Sequence, residues 1–305
     1  MLAVVGALIA NGLITILKFI GAFMTGSSGM MAEAFHSLAD TNNQVFLLLG
    51  LRFYKKPATK KHPFGYGKER FFWSFIAAIF IFGVGATYAI YEGIVKIRTP
   101  NEPEKLIWAY SILGVSFILE AISIGIALYQ EIGEARHEKL TFFEYLKESK
   151  DPTAKTVIYE DSAALIGIII AAGGLYLGEI KAWPGNGQYW DGIASVLIGI
   201  VLGIVAFALA RSARGLLLGE AATPKSTQAI KDVIKNHPNV VHLVELLTMH
   251  LAPKQILVNA HVNLKDGLNT TEIVDTIREI EQEIQKVEPM VYRIFLEAAR
   301  TKGNI

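Results

Sequence analysis

The sequence predicts an α-helical membrane protein with six transmembrane helices, followed by a small α+β domain of order α-β-β-α-β. Three observations predict it. The 305 residues are 52% hydrophobic, with a mean hydropathy of +0.37, more apolar than an ordinary soluble domain. Six apolar stretches are long enough to cross a bilayer, which takes ~20 residues. After Arg214 the apolar runs shorten, charges alternate and turn signals return, the pattern of a soluble domain.

The expected spans are residues 2–24, 28–53, 71–95, 106–129, 156–178 and 190–211. The first runs from Met1 with no basic segment or small-residue cleavage site ahead of it, so it reads as a retained span. GSSG at 26–29 makes a tight turn into the second. The 52–70 connection carries Arg52, Lys55, Lys56, Lys60, Lys61, Lys68 and Arg70, whereas 96–105 and 179–189 are poor in Lys and Arg. The 130–155 connection, with a short amphipathic segment and a solvent-facing His137, is basic again, as is the exit at Arg211 and Arg214. The positive-inside rule then puts 52–70, 130–155, the C-terminal part and both termini in the cytoplasm; a multi-pass protein of the cell membrane is the expectation. Asp151-Pro152 marks the boundary before the fifth span.

The C-terminal domain starts with a helix at 224–237, capped by Thr223 and with Pro224 at its first position. Strands follow at 240–250 and 255–263, joined near Ala252-Pro253. A second helix at 270–287 places Ile273, Ile277, Ile280 and Ile284 on one face, and a last strand covers 290–297.

Composition narrows the function. A formal net charge of +1 gives no reason to expect nucleic acid. The absence of Cys removes disulfides, thiolate ligands and a Cys nucleophile. The informative stretch is AEAFHSLADTNNQ at 32–44, where Glu33, His36, Asp40 and Asn43 share one helix face inside an apolar run. Ionisable groups at membrane depth cost several kcal/mol by roughly every scale and usually mark a pathway. His36 and Asp40, four residues apart, are spaced to grip one metal ion; the alternative is a polar pair that fixes helix packing. Imidazole with carboxylates suits Zn²⁺, and also Mn²⁺, Fe²⁺ or Co²⁺, better than Ca²⁺ or Mg²⁺. Metal binding needs His36 neutral and the carboxylates ionised, so one site can hold metal or protons. Among other intramembrane charges, Lys18 either snorkels or pairs with an acid, and Glu120 serves packing or a proton path. Asp191 caps the sixth span and Glu92 reaches the interface.

Several segments resemble the cation diffusion facilitator family. SSGMMAEAFHSLADT matches its entry into span two, HPFGYGKER at 62–70 its following loop and WDGIASVLIG at 190–199 its sixth span. DPTAKTVIYEDSAALIG at 151–167 is similar to the zinc-transporter-nine-like branch. The resemblance implies a homodimer that exports divalent metal in exchange for protons. It implies a transport domain at 1–213 and a ferredoxin-like cytoplasmic dimerisation domain at 214–305. It implies metal ligands at His36 and Asp40 in span two and at Asp161 in span five. The family's other span-five ligand falls at Val157, which cannot bind metal, and Glu160 beside it is the natural substitute. Glu33, Asn43 and Glu120 then support the site or the pathway. His62 matches a loop ligand whose usual partner is Tyr66 here. His261, Glu297 and Glu245 match a regulatory metal site, with Val274 in place of a further His; a metal-free dimerisation domain is the alternative. A membrane metalloenzyme and a non-transporting regulatory protein are the competing classes. HExxH and GxSxG are both absent.

Overall fold

The computed structural model describes residues 2–137, 140–150, 152–183 and 187–299. The chain forms two compact units, Met1–Phe53 with Glu69–Arg214, and Tyr54–Lys68 with Gly215–Ile305.

The first unit is helical: α1 (Leu2–Thr25), α2 (Ser28–Tyr54), α3 (Glu69–Phe80), α4 (Thr87–Arg98), α5 (Leu106–His137), α6 (Phe142–Glu148), α7 (Pro152–Glu179) and α8 (Trp190–Leu218). Among the described residues, four helical stretches are long and apolar enough to cross a membrane: Glu69–Arg98, Leu106–His137, Lys155–Glu179 and Trp190–Leu218. The apolar part of α1 that is described runs from Asn11 to Thr25. Helix α2 has the length, with 27 residues, but Glu33, His36, Asp40, Asn42, Asn43 and Gln44 remove its apolar character. Those polar side chains are tolerated because most of them face protein, with Glu33, His36 and Asn43 almost fully buried.

A π-helical turn at Ile81–Ala86 joins α3 to α4. The Thr87 amide donates five residues back to the Phe82 carbonyl, and two glycines at 83 and 85 ease the widened turn. Beyond it, α4 and α8 pack through small residues. A Cβ on Gly93 would stand 2.6 Å from the Gly192 carbonyl oxygen, and Ser195 Oγ donates to the Ala89 carbonyl at 2.7 Å. Close backbone approach of this kind drives helix association where lipid removes any hydrophobic gain.

The turn before α2 uses Gly26 at φ 62°, a conformation that favours glycine. Asp191 then corrects an expectation. It sits in the first turn of α8 but caps α2 instead of its own helix. Its Oδ2 accepts from the Ser28 amide at 2.7 Å and its Oδ1 from Ser27 Oγ at 2.6 Å and the Gly29 amide at 3.1 Å. Helix α2 starts in buried surroundings, where its unpaired amides have no water, and a carboxylate meets both that need and the helix dipole. Lys96 of α4 completes the group, 3.5 Å from Asp191 Oδ2 and donating to the Gly26 carbonyl at 2.6 Å. Glu92 is half-buried. Asp151, read as a boundary residue, lies outside the described residues, and α7 begins at Pro152.

The second unit contains α9 (Pro224–Asn236), β1 (Val240–Ala252), β2 (Gln255–Leu264), α10 (Thr270–Val287) and β3 (Val291–Ala298). Strand β2 is central, antiparallel to β1 and parallel to β3. Thr223 caps α9 by accepting from the Ser226 amide, and Ala252 pairs with Gln255 to leave a two-residue turn. Alternation along β2 buries Ile256, Val258, Ala260 and Val262 against Ile230 and Ile234 of α9 and Ile280 and Ile284 of α10. The loop 54–68 belongs to this unit. A Cβ on Gly67 would collide with the Leu251 carbonyl, Lys68 Nζ donates to the Leu217 carbonyl at 3.3 Å, and the Phe64 ring meets Phe295 edge-on at 6.5 Å.

Candidate metal centre

Helix α2 presents its polar face inward by simple periodicity, and the site is assembled around it. His36 Nδ1 lies 3.5 Å from Asp40 Oδ1, one turn apart as the spacing requires but too far for a good hydrogen bond. The His36 side chain is 1% exposed and that of Asp40 17%. Neither His36 nitrogen and not the Asp40 Oδ1 has a hydrogen-bond partner among the described residues. Across from them on α7, Glu160 is buried and accepts from Asn43 Nδ2 of α2, while its Oε1 is also unpartnered. Asn43 thus orients a carboxylate rather than capping backbone. Asp161 accepts from Ser123 Oγ of α5 at 2.8 Å.

Glu120, also on α5, is half-buried. It lies within electrostatic range of Asp40, Glu160, Asp161 and Lys18. Lys18 resolves into a pair with an acid: its Nζ is 3.0 Å from Glu33 Oε2, and both side chains are fully buried. Glu160 and Asp161 are therefore held by separate hydrogen-bond partners, Asn43 and Ser123, while His36 and Asp40 face each other at 3.5 Å. Among the described residues no group of three His, Asp or Glu is close enough to hold a metal ion. The donor types and the unpartnered buried atoms nevertheless fit a cation, since buried acceptors left unmade cost free energy that a bound ion removes. Val157 is half-buried and offers no ligand.

Ser123 was missed in the sequence. Its one available signal is its position three residues after Glu120, on the same face of α5. The hydroxyl pair of Thr15 and Thr41, 3.1 Å apart, was missed as well, because neither residue type stands out in an apolar helix.

In the second unit, Glu245, His261 and Glu297 stand side by side on β1, β2 and β3, on the sheet face away from the helices. His261 Nε2 lies 3.2 Å from Glu297 Oε2, and its Nδ1 lies 3.7 Å from Glu245 Oε2. Val274 is 47% exposed and adds nothing to this row. His62 is exposed, its ring against Tyr66 at 4.6 Å. His137 and His242 are exposed, whereas His250 is a buried strand residue.

Residues 4–218 match the cation efflux transmembrane domain, and residues 222–296 match the cation efflux protein cytoplasmic domain. A human protein named "Proton-coupled zinc antiporter SLC30A9, mitochondrial" is 32% identical over 282 residues, 92% of this chain and 49% of that protein. "Metal tolerance protein C4" of Arabidopsis thaliana is 33% identical over 86% of this chain and 56% of its own length. "Cation-efflux pump FieF" of Citrobacter koseri is 25% identical over 94% of this chain and 88% of that protein. The chain spans about half the length of the SLC30A9 relative it matches. A polar helix set among membrane-crossing ones, a separate α/β unit and both matched domains lead to one assignment: this chain is a multi-pass membrane protein of the cation efflux, or cation diffusion facilitator, family, similar to the SLC30A9 proteins.

Proposed function

We propose that the protein is a secondary transporter that exports a divalent transition-metal cation from the cytoplasm in exchange for protons, with Zn²⁺ preferred over Mn²⁺, Fe²⁺ and Co²⁺. One observation carries the reading: buried acceptor atoms of His36, Asp40 and Glu160 have no hydrogen-bond partner among the described residues. An ion entering there takes His36 and Asp40 from α2 and Asp161 and Glu160 from α7, with Glu160 in place of the ligand missing at Val157. Binding exchanges the Asn43–Glu160 and Ser123–Asp161 hydrogen bonds for metal ligation. It also requires deprotonated ligands, so metal and protons compete for the same atoms. The two loads then stabilise different arrangements of the helices, and exchange follows. The names of the SLC30A9 relatives, which specify zinc and proton coupling, support the choice of ion.

In this reading residues 1–213 are the six-span transport domain and 214–305 a ferredoxin-like domain through which two copies associate. The basic connections at 52–70 and 130–155 support cytoplasmic termini. Glu245, His261 and Glu297 become a weak cytoplasmic metal site only if the two carboxylates close on His261 from their 3.7 and 3.2 Å positions; a metal-free dimerisation domain is the alternative. A second reading, a metal-binding membrane protein without transport, draws on Val157 and on the separate hydrogen bonds that hold Glu160 and Asp161. Purified protein in liposomes separates the two. A pH gradient, acid inside the liposomes so that protons leave as metal enters, should drive uptake of Zn²⁺ well above that of empty liposomes. Binding without flux at any gradient favours the second reading.

A further inference from the structure

Between Asp40 and Glu69 the chain has no acidic residue, yet it carries Arg52, Lys55, Lys56, Lys60, Lys61 and Lys68. The first five are exposed. Among the described residues no carboxylate pairs with Arg52, Lys55, Lys60 or Lys61. Cations that only set the topology need no fixed shape, but here the backbone is shaped. Thr59 and His62 exchange both of their backbone hydrogen bonds, at 3.1 and 3.0 Å. Lys60 and Lys61 are thereby the two-residue tip of a tight turn. The His62 amide also donates to the Thr59 hydroxyl at 3.1 Å, and the Gly65 amide donates to the His62 carbonyl at 3.0 Å. Lys56 lies over the Tyr66 ring, 5.8 Å from its centroid. Two neighbouring ammoniums at the tip of a turn repel each other, a cost that an anion from outside the chain relieves. The apolar stretch Glu69–Arg98 begins eight residues after Lys61, a reach of about 28 Å at full extension. Acidic lipid headgroups are the anions a membrane protein meets within that distance.

We propose that Arg52, Lys55, Lys56, Lys60 and Lys61 form a docking surface for anionic lipid headgroups of the adjoining leaflet, with Lys60 and Lys61 as its tip. Clusters of four to eight Lys or Arg residues beside a membrane helix attract such lipids. The preformed turn lowers the ordering cost of binding. The surface is independent of the metal residues and of whether the protein transports.

The chain has no Cys, so Ala58→Cys, at an exposed position beside the turn, takes a single polarity-sensitive dye. The labelled full chain is placed in phosphatidylcholine nanodiscs with increasing phosphatidylglycerol, without metal. Phosphatidylglycerol should shift the emission to the blue, and high salt should reverse the shift, because it screens exposed charges. Lys60→Gln with Lys61→Gln should need about tenfold more phosphatidylglycerol, or more than that, for half the shift, since each lysine contributes a factor of roughly five. Lys60→Arg with Lys61→Arg, which keeps both charges, should follow the parent protein. No shift with phosphatidylglycerol, or the same lipid dependence in the glutamine pair, overturns the proposal. Soluble polyglutamate or inorganic phosphate that shifts the emission in pure phosphatidylcholine nanodiscs, where phosphatidylglycerol does not, assigns the surface to an acidic peptide or a free phosphate and overturns it as well. A protein that moves no Zn²⁺ contradicts the transport reading and leaves this test standing.

Discussion

Asp191 shows what a single carboxylate does when its partners come from two other helices and the turn that leads into one of them. It serves the amides of Ser28 and Gly29, the hydroxyls of Ser27 and Ser28, and the ammonium of Lys96. Asp191→Ala removes a helix cap worth about 1 kcal/mol and strands a buried Lys96, a loss of ~3–5 kcal/mol when one partner of a buried pair is deleted. Thermal unfolding in detergent should show a clear drop in midpoint, and Asp191→Asn, which keeps an acceptor but not the charge, should fall in between. An unchanged midpoint in Asp191→Ala would contradict the capping role. This arrangement was illegible in the sequence because Ser28 and Asp191 are 163 residues apart; a residue opening a helix naturally reads as that helix's own cap. His36 and Asp40 were legible because their relation is one helical turn. Asn43 was legible as a group able to orient a ligand carboxylate, but that the carboxylate is Glu160, 117 residues away, was not. Glu160→Gln should weaken metal binding tenfold or more, comparable to or larger than the roughly 10–100-fold of a lost supporting group. His at Val157 in that variant should recover it. Calorimetric titration measures both, and unchanged affinity in Glu160→Gln removes that residue from the site.

At the scale of elements, local signals carried furthest in the second unit. Thr223-Pro224 marks the start of α9 because a hydroxyl cap and a pre-set φ act on neighbouring residues alone. The strands alternate on one buried face, so their period shows in the sequence. Helix α2 is the opposite case: its polar face makes it a poor membrane span by composition, and only packing against other helices accommodates it. The π-helical turn at Ile81–Ala86 had no signal beyond two glycines in an apolar run. Helix α6 offers a pH-dependent test. Thr141 donates to the Glu144 carboxylate from its hydroxyl at 2.7 Å and its amide at 3.0 Å, and these bonds hold Glu144 below the usual carboxylate value of 4.5. A depressed folded value means the cap contributes stability above the ordinary carboxylate range and loses it as pH falls through the lowered value. Amide protection over 141–149, corrected for intrinsic exchange, should therefore fall in acid and should do so less in Glu144→Gln. Equal acid sensitivity in both would contradict the assignment.

For the whole molecule, the two units differ in kind: one holds buried polar side chains among apolar helices, the other a small sheet with a Glu245–His261–Glu297 row on its outer face. The matched cytoplasmic domain leads us to expect a dimer, and mass measurement in mild detergent should give twice 33.5 kDa after subtraction of bound detergent. A functional monomer would contradict that expectation. The central claim is that His36, Asp40, Glu160 and Asp161 hold either metal or protons. Its most direct test is calorimetric titration of the full chain with Zn²⁺ in buffers of different ionisation enthalpy, which counts protons released per ion bound. The account predicts proton release in wild type, with both metal binding and the coupled release abolished or strongly reduced in Asp40→Ala. Zinc binding that releases no protons, or binding and release that persist unchanged in Asp40→Ala, would contradict it.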